Sequence, residues 1–357
     1  MISFLLIGTG FLYALFILFT YHGWKKTKTF SSDTDNFKTK VTVIIPARNE
    51  EKNILNCLDS ISKQSYPAHL TEVIVVDDHS EDNTYSIVSE WAAQQSAGTK
   101  IISLSSVTGK KNAINEALKT ATGELIVTTD ADCMMSNEWL SAIVSCYEKY
   151  SPDMIAGMVS LSDESKFLSQ FQALEFAGMT AIGAAGIYFR LPLLCNGANL
   201  AYTKNIFEET GGYNLTEESS SGDDTMLMLR IAKKNPRAIR FLKSQEAIVN
   251  TSPASSWNEL MKQRRRWGSK VIGQGNISAI AISLLVFLFH CAIVSSLILF
   301  LIGIVSWKIP ALLLLFKILP EFILVKDVVS FYKRRISTRI ILLSQLLYIP
   351  YLILAVL

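Results

Sequence analysis

The sequence has no Cys-x-x-Cys pair; its five cysteines, Cys57, Cys133, Cys146, Cys195 and Cys291, are scattered over 357 residues. That spacing argues against a zinc site or a disulfide framework, and reduced thiols are the simpler account. There are only four histidines, and none is spaced for a metal or a catalytic triad. No Gly-x-Gly-x-x-Gly follows the first apolar strand, and Thr108-Gly109-Lys110-Lys111 lacks the spacing and hydroxyl of a Walker A loop. Dinucleotide oxidoreductases and P-loop NTPases are therefore disfavoured. Net charge is only +3, too small to imply a nucleic-acid partner.

Apolar residues are plentiful: 50% are hydrophobic and mean hydropathy is +0.29. The excess sits at the two ends. Ile2 to Tyr21 is almost wholly apolar, long enough for a bilayer-spanning helix. Basic residues come after it (Lys25, Lys26, Lys28) rather than before it, which favours a retained anchor over a signal peptide and places the chain beyond residue 25 in the cytosol. Ile277 to Trp307 and Ile340 to Leu357 read as further spans. Ile309 to about Val329 is a weaker one, because it carries Lys317, Glu321, Lys326 and Asp327. Lys317 and Glu321 stand four apart and can pair on one helix face. Lys333, Arg334, Arg335 and Arg339 belong inside, in agreement with the first signal. The expected layout is an anchor at 1–24, a linker at 25–40, a catalytic domain at 41–255, an interfacial helix region at 256–276 and membrane helices at 277–357. That makes a multi-pass cell-membrane protein with one amino-terminal and about three carboxyl-terminal spans.

Between the ends, strand and helix patterns alternate. Val41 to Pro46, Val73 to Val76, Ile101 to Leu104 and Leu125 to Val127 are short β-branched runs, separated by helical spacing in Ile54–Ile61, Ile87–Trp91 and Lys110–Thr120. This order predicts an α/β fold with a mostly parallel sheet flanked by helices. Acidic residues sit where two of these strands end. Asp130 and Asp132 share one face of an extended chain and suit a hard divalent cation. Asp77 and Asp78 can accept from a base N–H or a ribose hydroxyl. The plainer alternatives are Asp-rich turns and helix caps. For one Asp the plainer reading is preferred; for two matched pairs, ligand binding is.

The ordered set Val43-Ile44-Ile45-Pro46-Ala47-Arg48-Asn49-Glu50, Val75-Val76-Asp77-Asp78-His79-Ser80, Gly109-Lys110-Lys111-Asn112-Ala113 and Asp130-Ala131-Asp132 resembles membrane-bound family 2 glycosyltransferases of the GT-A fold. Gly197-Ala198-Asn199-Leu200-Ala201-Tyr202, Gly211-Gly212-Tyr213, Gly222-Asp223-Asp224 and Gln263-Arg264-Arg265-Arg266-Trp267 extend the resemblance to about residue 270. The resemblance implies inverting transfer from a nucleotide-sugar donor (UDP- or GDP-sugar) with Mg²⁺ or Mn²⁺. It places Pro46, Ala47, Arg48, Glu50, Asp77, Asp78, Lys111, Asp130, Ala131 and Asp132 on the donor, with Asp132 the first metal ligand and Asp130 facing hydroxyls or the metal. It puts Asn196, Gly197, Ala198 and Asn199 on the acceptor side. Asp224, Asp223, Gln263, Arg266 and Trp267 complete the catalytic set. Asp223 departs from the family's usual Glu, so the base is either of the two acids, with Asp224 preferred.

The chemistry also stands on its own. Leaving diphosphate develops negative charge that a metal stabilises, and the attacking hydroxyl needs a carboxylate base. Asp223 and Asp224 before Met226-Leu227-Met228-Leu229 also read as a helix start. Arg264 and Arg265 are expected on lipid headgroups, and His79 in a turn. The apolar stretch Lys166–Arg190 is either a core or an interfacial helix. The expected acceptor is lipid-linked, or a polysaccharide, presented at the cytosolic face. Two alternatives are a processive polysaccharide synthase and a catalytically silent nucleotide-sugar-binding scaffold. Sugar, nucleotide and oligomeric state are not legible in the residues.

Overall fold

The computed structural model describes residues 1–357 apart from 33–35, 96–97, 106–107, 163–164, 214–222, 274 and 357, and apart from the side chains of 223, 270–273 and 356. Two compact units form: one from Thr27–Ser162 and Leu194–Ser252, the other from Met1–Lys26, Asp163–Leu193 and Pro253–Leu357.

In the first unit the strands are β1 (Val41–Ala47), β2 (Thr71–Asp77), β3 (Thr99–Ser103), β4 (Leu125–Thr128), β5 (Met134–Met135), β6 (Met154–Ala156), β7 (Val159–Leu161), β8 (Leu200–Thr203), β9 (Ile239–Phe241) and β10 (Val249–Thr251). A seven-stranded sheet has the order β3-β2-β1-β4-β8-β6-β9, and a second sheet the order β5-β10-β7. β3, β2, β1 and β4 are parallel neighbours, and the buried, largely β-branched runs of β1, β2 and β4 fit a sheet covered on both faces. β8 runs antiparallel to both β4 and β6. Register matters for function: Ala47 lies opposite Asp77, and Ile44 opposite Thr128. The carboxyl ends of β1, β2 and β4 thus meet at one edge, where open α/β sheets place ligands.

The covering helices are α2 (Ile54–Ser62), α3 (Thr84–Ala93), α4 (Lys110–Thr120), α5 (Trp139–Tyr150), α7 (Lys204–Glu209) and α8 (Asp223–Lys234). The stretch 25–40, expected as a linker, is strapped down. Thr29 bridges to Lys243, Ser32 donates its backbone N–H to Glu246, and Lys38 and Thr39 donate theirs to Glu148.

The second unit holds α1 (Ile2–Lys26), α6 (Phe167–Tyr188), α9 (Trp257–Gly273), α10 (Ile277–Leu301), α11 (Lys308–Phe331) and α12 (Thr338–Val356). Within it, α1 packs on α6, α10 and α11. Two glycines permit this: a Cβ on Gly23 would stand 2.6 Å from Ala185 Cβ, and one on Gly10 would stand 2.7 Å from Leu313 Cδ2. The expected 41–255 boundary kept α6 with the sheet. α6 instead groups with the long apolar helices, because a helix apolar all round needs apolar neighbours all round. Among the described residues, three helices are long and apolar enough to cross a membrane: Ile2–Lys26, Ile277–Leu301 and Thr338–Ala355. α11 has the length, at about 1.5 Å per residue, and pairs two of its charges, Lys317 and Glu321, within the helix. Lys317 Nζ lies 2.7 Å from Glu321, which also accepts from Tyr13, and Asp327 accepts from Trp24 Nε1 at 2.7 Å.

Candidate active site

The site is built where strands stop. After β1, Asn49 takes a left-handed turn (φ 55) and donates its N–H to Ser80 Oγ at 3.0 Å; after β2, His79 takes a left-handed turn too (φ 58). Glu50 N–H donates to Thr84 Oγ1 at 2.8 Å, so the two strand-end loops are stitched together. Asp77 and Asp78 are both buried. Asp78 accepts from the Gly109 N–H at 2.7 Å, while Asp77 Oδ1 is a buried oxygen with no hydrogen-bond partner. Gly109 is at φ 103, a value that favours glycine, and it starts α4 with Lys110.

Lys110 is the hub. Its ammonium pairs with Asp130 Oδ1 at 2.5 Å, in a site about a third open (side chains 35% and 39% exposed). Burial disfavours its charge, but the carboxylates of Asp130 and then Asp224 outweigh that and hold its pKa above the ordinary lysine value. Asp224 reaches the same strand end from elsewhere in the chain: it stands against Gly197, whose carbonyl accepts from Thr128 Oγ1 at 3.0 Å, two residues before Asp130. Asp224 lies in the first turn of α8 and accepts from the Tyr213 hydroxyl at 3.1 Å. Burial, then Tyr202 and Asp224, push the Tyr213 phenol far up, so it stays a donor.

Asp132 is half-buried and accepts from Thr251 Oγ1 at 2.8 Å; Ala131 between the two acids is buried. Glu50 faces the same pair. Burial raises its carboxyl, the bond from Asn53 opposes that, and Asp132 and Asp130 raise it further. The Cys57 and Cys133 thiols beside this loop are pushed up by burial and then by the two aspartates.

Other sequence-based expectations divide. Pro46 and Ala47 close β1 and Ala47 is buried; its carbonyl accepts from the Asp78 N–H at 2.8 Å. Arg48 is exposed. Lys110 meets Asp130; Lys111, expected on the donor, is the next residue of α4, about 100° further round the helix. Asn196 caps a short turn by accepting from the Ala198 N–H at 3.0 Å. Asn199 was expected on the acceptor side. It is 1% exposed and its amide is used up inside the protein: Trp139 Nε1 donates to it at 3.0 Å, and it donates to the Met158 and Ala247 carbonyls. It holds the fold. Ala198 is buried as well. The Asp223 side chain lies outside the described residues, as does Gly222.

Gln263, Arg266 and Trp267 lie on α9, in the second unit. Arg266 is exposed and Trp267 half-buried. Arg264, expected on lipid headgroups, is buried instead and paired with Glu175 at 2.6 Å. A guanidinium so enclosed has a carboxylate partner rather than a headgroup. Thr251 and Glu175 were missed by sequence reasoning, whereas Lys110 and Tyr213 lie in the motif segments Gly109–Ala113 and Gly211–Tyr213 but were given no role of their own.

Could these residues hold a divalent cation? Among the described residues no group of three His, Cys, Asp or Glu side chains is arranged for one. Asp132 and Asp130 together still suit Mg²⁺ or Mn²⁺, which takes one or two carboxylates and completes its shell with phosphate oxygens and water. Asp130 is already paired with the Lys110 ammonium, whereas Asp132 accepts from the Thr251 hydroxyl. A groove of about 820 Å³ lined by Lys38, Lys40, Gly123 and Lys204 lies elsewhere, at the amino-terminal ends of β1 and β4, and holds none of these acids.

Residues 42–211 match the glycosyl transferase family 2 model. The chain carries a family 2 glycosyltransferase domain. The chain is 28% identical to the probable glycosyltransferase YdaM of Bacillus subtilis over 74% of its own length and 64% of that protein. It is 26% identical to a beta-monoglucosyldiacylglycerol synthase of Nostoc over 64% of its length and 48% of that enzyme. It thus spans about half to two thirds of these relatives. The fold is that of a mannosyltransferase from Pyrobaculum calidifontis solved with GDP-Man and Mn²⁺: TM-score 0.64, 21% identity and 98% of both chains covered. This GT-A-like architecture agrees with the parallel sheet and flanking helices expected from the sequence.

Proposed function

We propose that this family 2 domain moves a sugar from a nucleotide-sugar donor, a UDP- or GDP-sugar, to a lipid-linked or membrane-presented acceptor at the cytosolic face, with inversion and with Mg²⁺ or Mn²⁺. The observation that supports the reading is the approach of acids from distant segments to the end of β4: Lys110 pairs with Asp130, and Asp224 stands against Gly197, whose carbonyl accepts from Thr128 Oγ1 at 3.0 Å. The Nostoc relative's name, a synthase of a glucosylated diacylglycerol, and the long apolar helices favour a membrane acceptor.

Each residue then has a task. The unpartnered Asp77 Oδ1 accepts from the donor's base or ribose, because a buried carboxylate oxygen without a donor is costly. Asp132, with Asp130, would hold the cation, which would supply charge stabilisation to the leaving diphosphate. Lys110 orients Asp130 and adds fixed positive charge near that group. Asp224 takes the proton from the acceptor hydroxyl, and Tyr213 fixes its orientation. Gln263, Arg266 and Trp267 serve transfer from α9. The test is a panel of nucleotide sugars incubated with the protein in nanodiscs, with product length and anomeric configuration read out. A single added sugar of inverted configuration is expected. A ladder of products supports the processive alternative, and binding without turnover of any donor supports the silent scaffold.

A further inference from the structure

Glu175 belongs to none of the motifs above, yet it is buried at the meeting of three helices of the second unit. From α6 it receives Arg264 Nε at 2.9 Å and Nη2 at 2.6 Å from α9, and the Tyr351 hydroxyl at 3.3 Å from α12. Both charged side chains are 8% exposed. The third edge of the guanidinium, Nη1, donates to Gln263 Oε1. Its face lies over Trp267, with Cζ 4.3 Å from the ring centroid, and Phe176 meets that indole edge-on at 6.1 Å.

We infer that Glu175 is a positioning residue: through Arg264 it fixes the side chains of Gln263 and Trp267 for sugar transfer. Arg264 has a planar fork, so anchoring two of its nitrogens on one carboxylate sets both the direction of Nη1 and the plane that covers the indole. Lysine cannot do both. Without the carboxylate the guanidinium is buried and unpaired, and it turns to find another acceptor. Gln263 and Trp267 then lose their constraints together. The inference rests on the role proposed for Gln263 and Trp267 in transfer.

The test uses the full chain in detergent micelles, labelled with 5-fluorotryptophan and carrying Glu175→Gln or, as the milder change, Arg264→Lys. The fluorine line of Trp267 is assigned with Trp267→Phe among the six tryptophans. In both variants that line is expected to shift or broaden while the others hold. Turnover should fall about 10- to 100-fold with donor affinity unchanged. Unchanged turnover with a moved Trp267 line overturns the proposal, as does lost turnover with an unmoved one. Movement of every tryptophan line together assigns Glu175 to general folding and also overturns it. A wild-type protein that turns over no donor refutes the transferase reading instead, and the fluorine spectra still report whether Glu175 fixes Trp267.

Discussion

A Cβ built on Gly197 would stand 2.1 Å from Asp224 Oδ2. No flexible chain end can yield there, because the carboxylate is itself the group that must stay in place. Gly197 is therefore needed for its missing side chain. Gly197→Ala should displace the Asp224 carboxylate and lower turnover about 100-fold or more while the donor still binds. Turnover measured beside donor affinity checks this.

Removing Lys110 takes away the ammonium that is paired with Asp130. Lys110→Met should cut turnover about 100-fold, whereas Lys111→Met should have a clearly smaller effect. Because the folded protein holds the Lys110 pKa above its ordinary value, the Lys110 contribution to stability is complete below about pH 10.4. It is lost only as pH rises through the raised value. The activity profile between about pH 6 and 9 should then show no limb that disappears with Lys110→Met.

Glu72 gives a stability test away from the site. Burial opposes its charge, but Lys100, the Thr122 N–H and Thr42 outweigh it and lower its pKa. The bonds are at 2.7, 2.8 and 2.6 Å. A depressed carboxyl stabilises the fold above the unfolded value, about 4.3, and loses that contribution as pH falls through the folded one. Glu72→Gln should cost about 1–3 kcal/mol at pH 7. The gap in melting midpoint should close below about pH 4.

Much of this was legible in the residues, for physical reasons. The strands β1, β2 and β4 are buried on both faces and so read as unbroken β-branched runs, and Lys110–Thr120 forms the helix its spacing predicts. The Lys317–Glu321 pair comes from a four-residue separation alone. β6, β7, β9 and β10 have three residues each, too few for a period to show, and their pairing is set by neighbours distant in the chain. Asn199 looked like a ligand because an asparagine in a glycine-flanked turn has the same local signature whether its amide faces a substrate or a carbonyl. Arg264 looked solvated because a basic run hides which arginine has a carboxylate on another helix. Those distinctions live in tertiary contacts.

The central claim is that Asp132 serves donor and metal while Asp224 serves the acceptor proton. Donor binding and sugar transfer, measured side by side for Asp132→Asn and Asp224→Asn with and without chelator, test it most directly. The account predicts that Asp132→Asn and chelation each abolish metal-dependent donor binding. It predicts that Asp224→Asn binds donor like the wild type and transfers nothing. Transfer that survives in Asp224→Asn, or donor binding that ignores both Asp132→Asn and chelator, would contradict it.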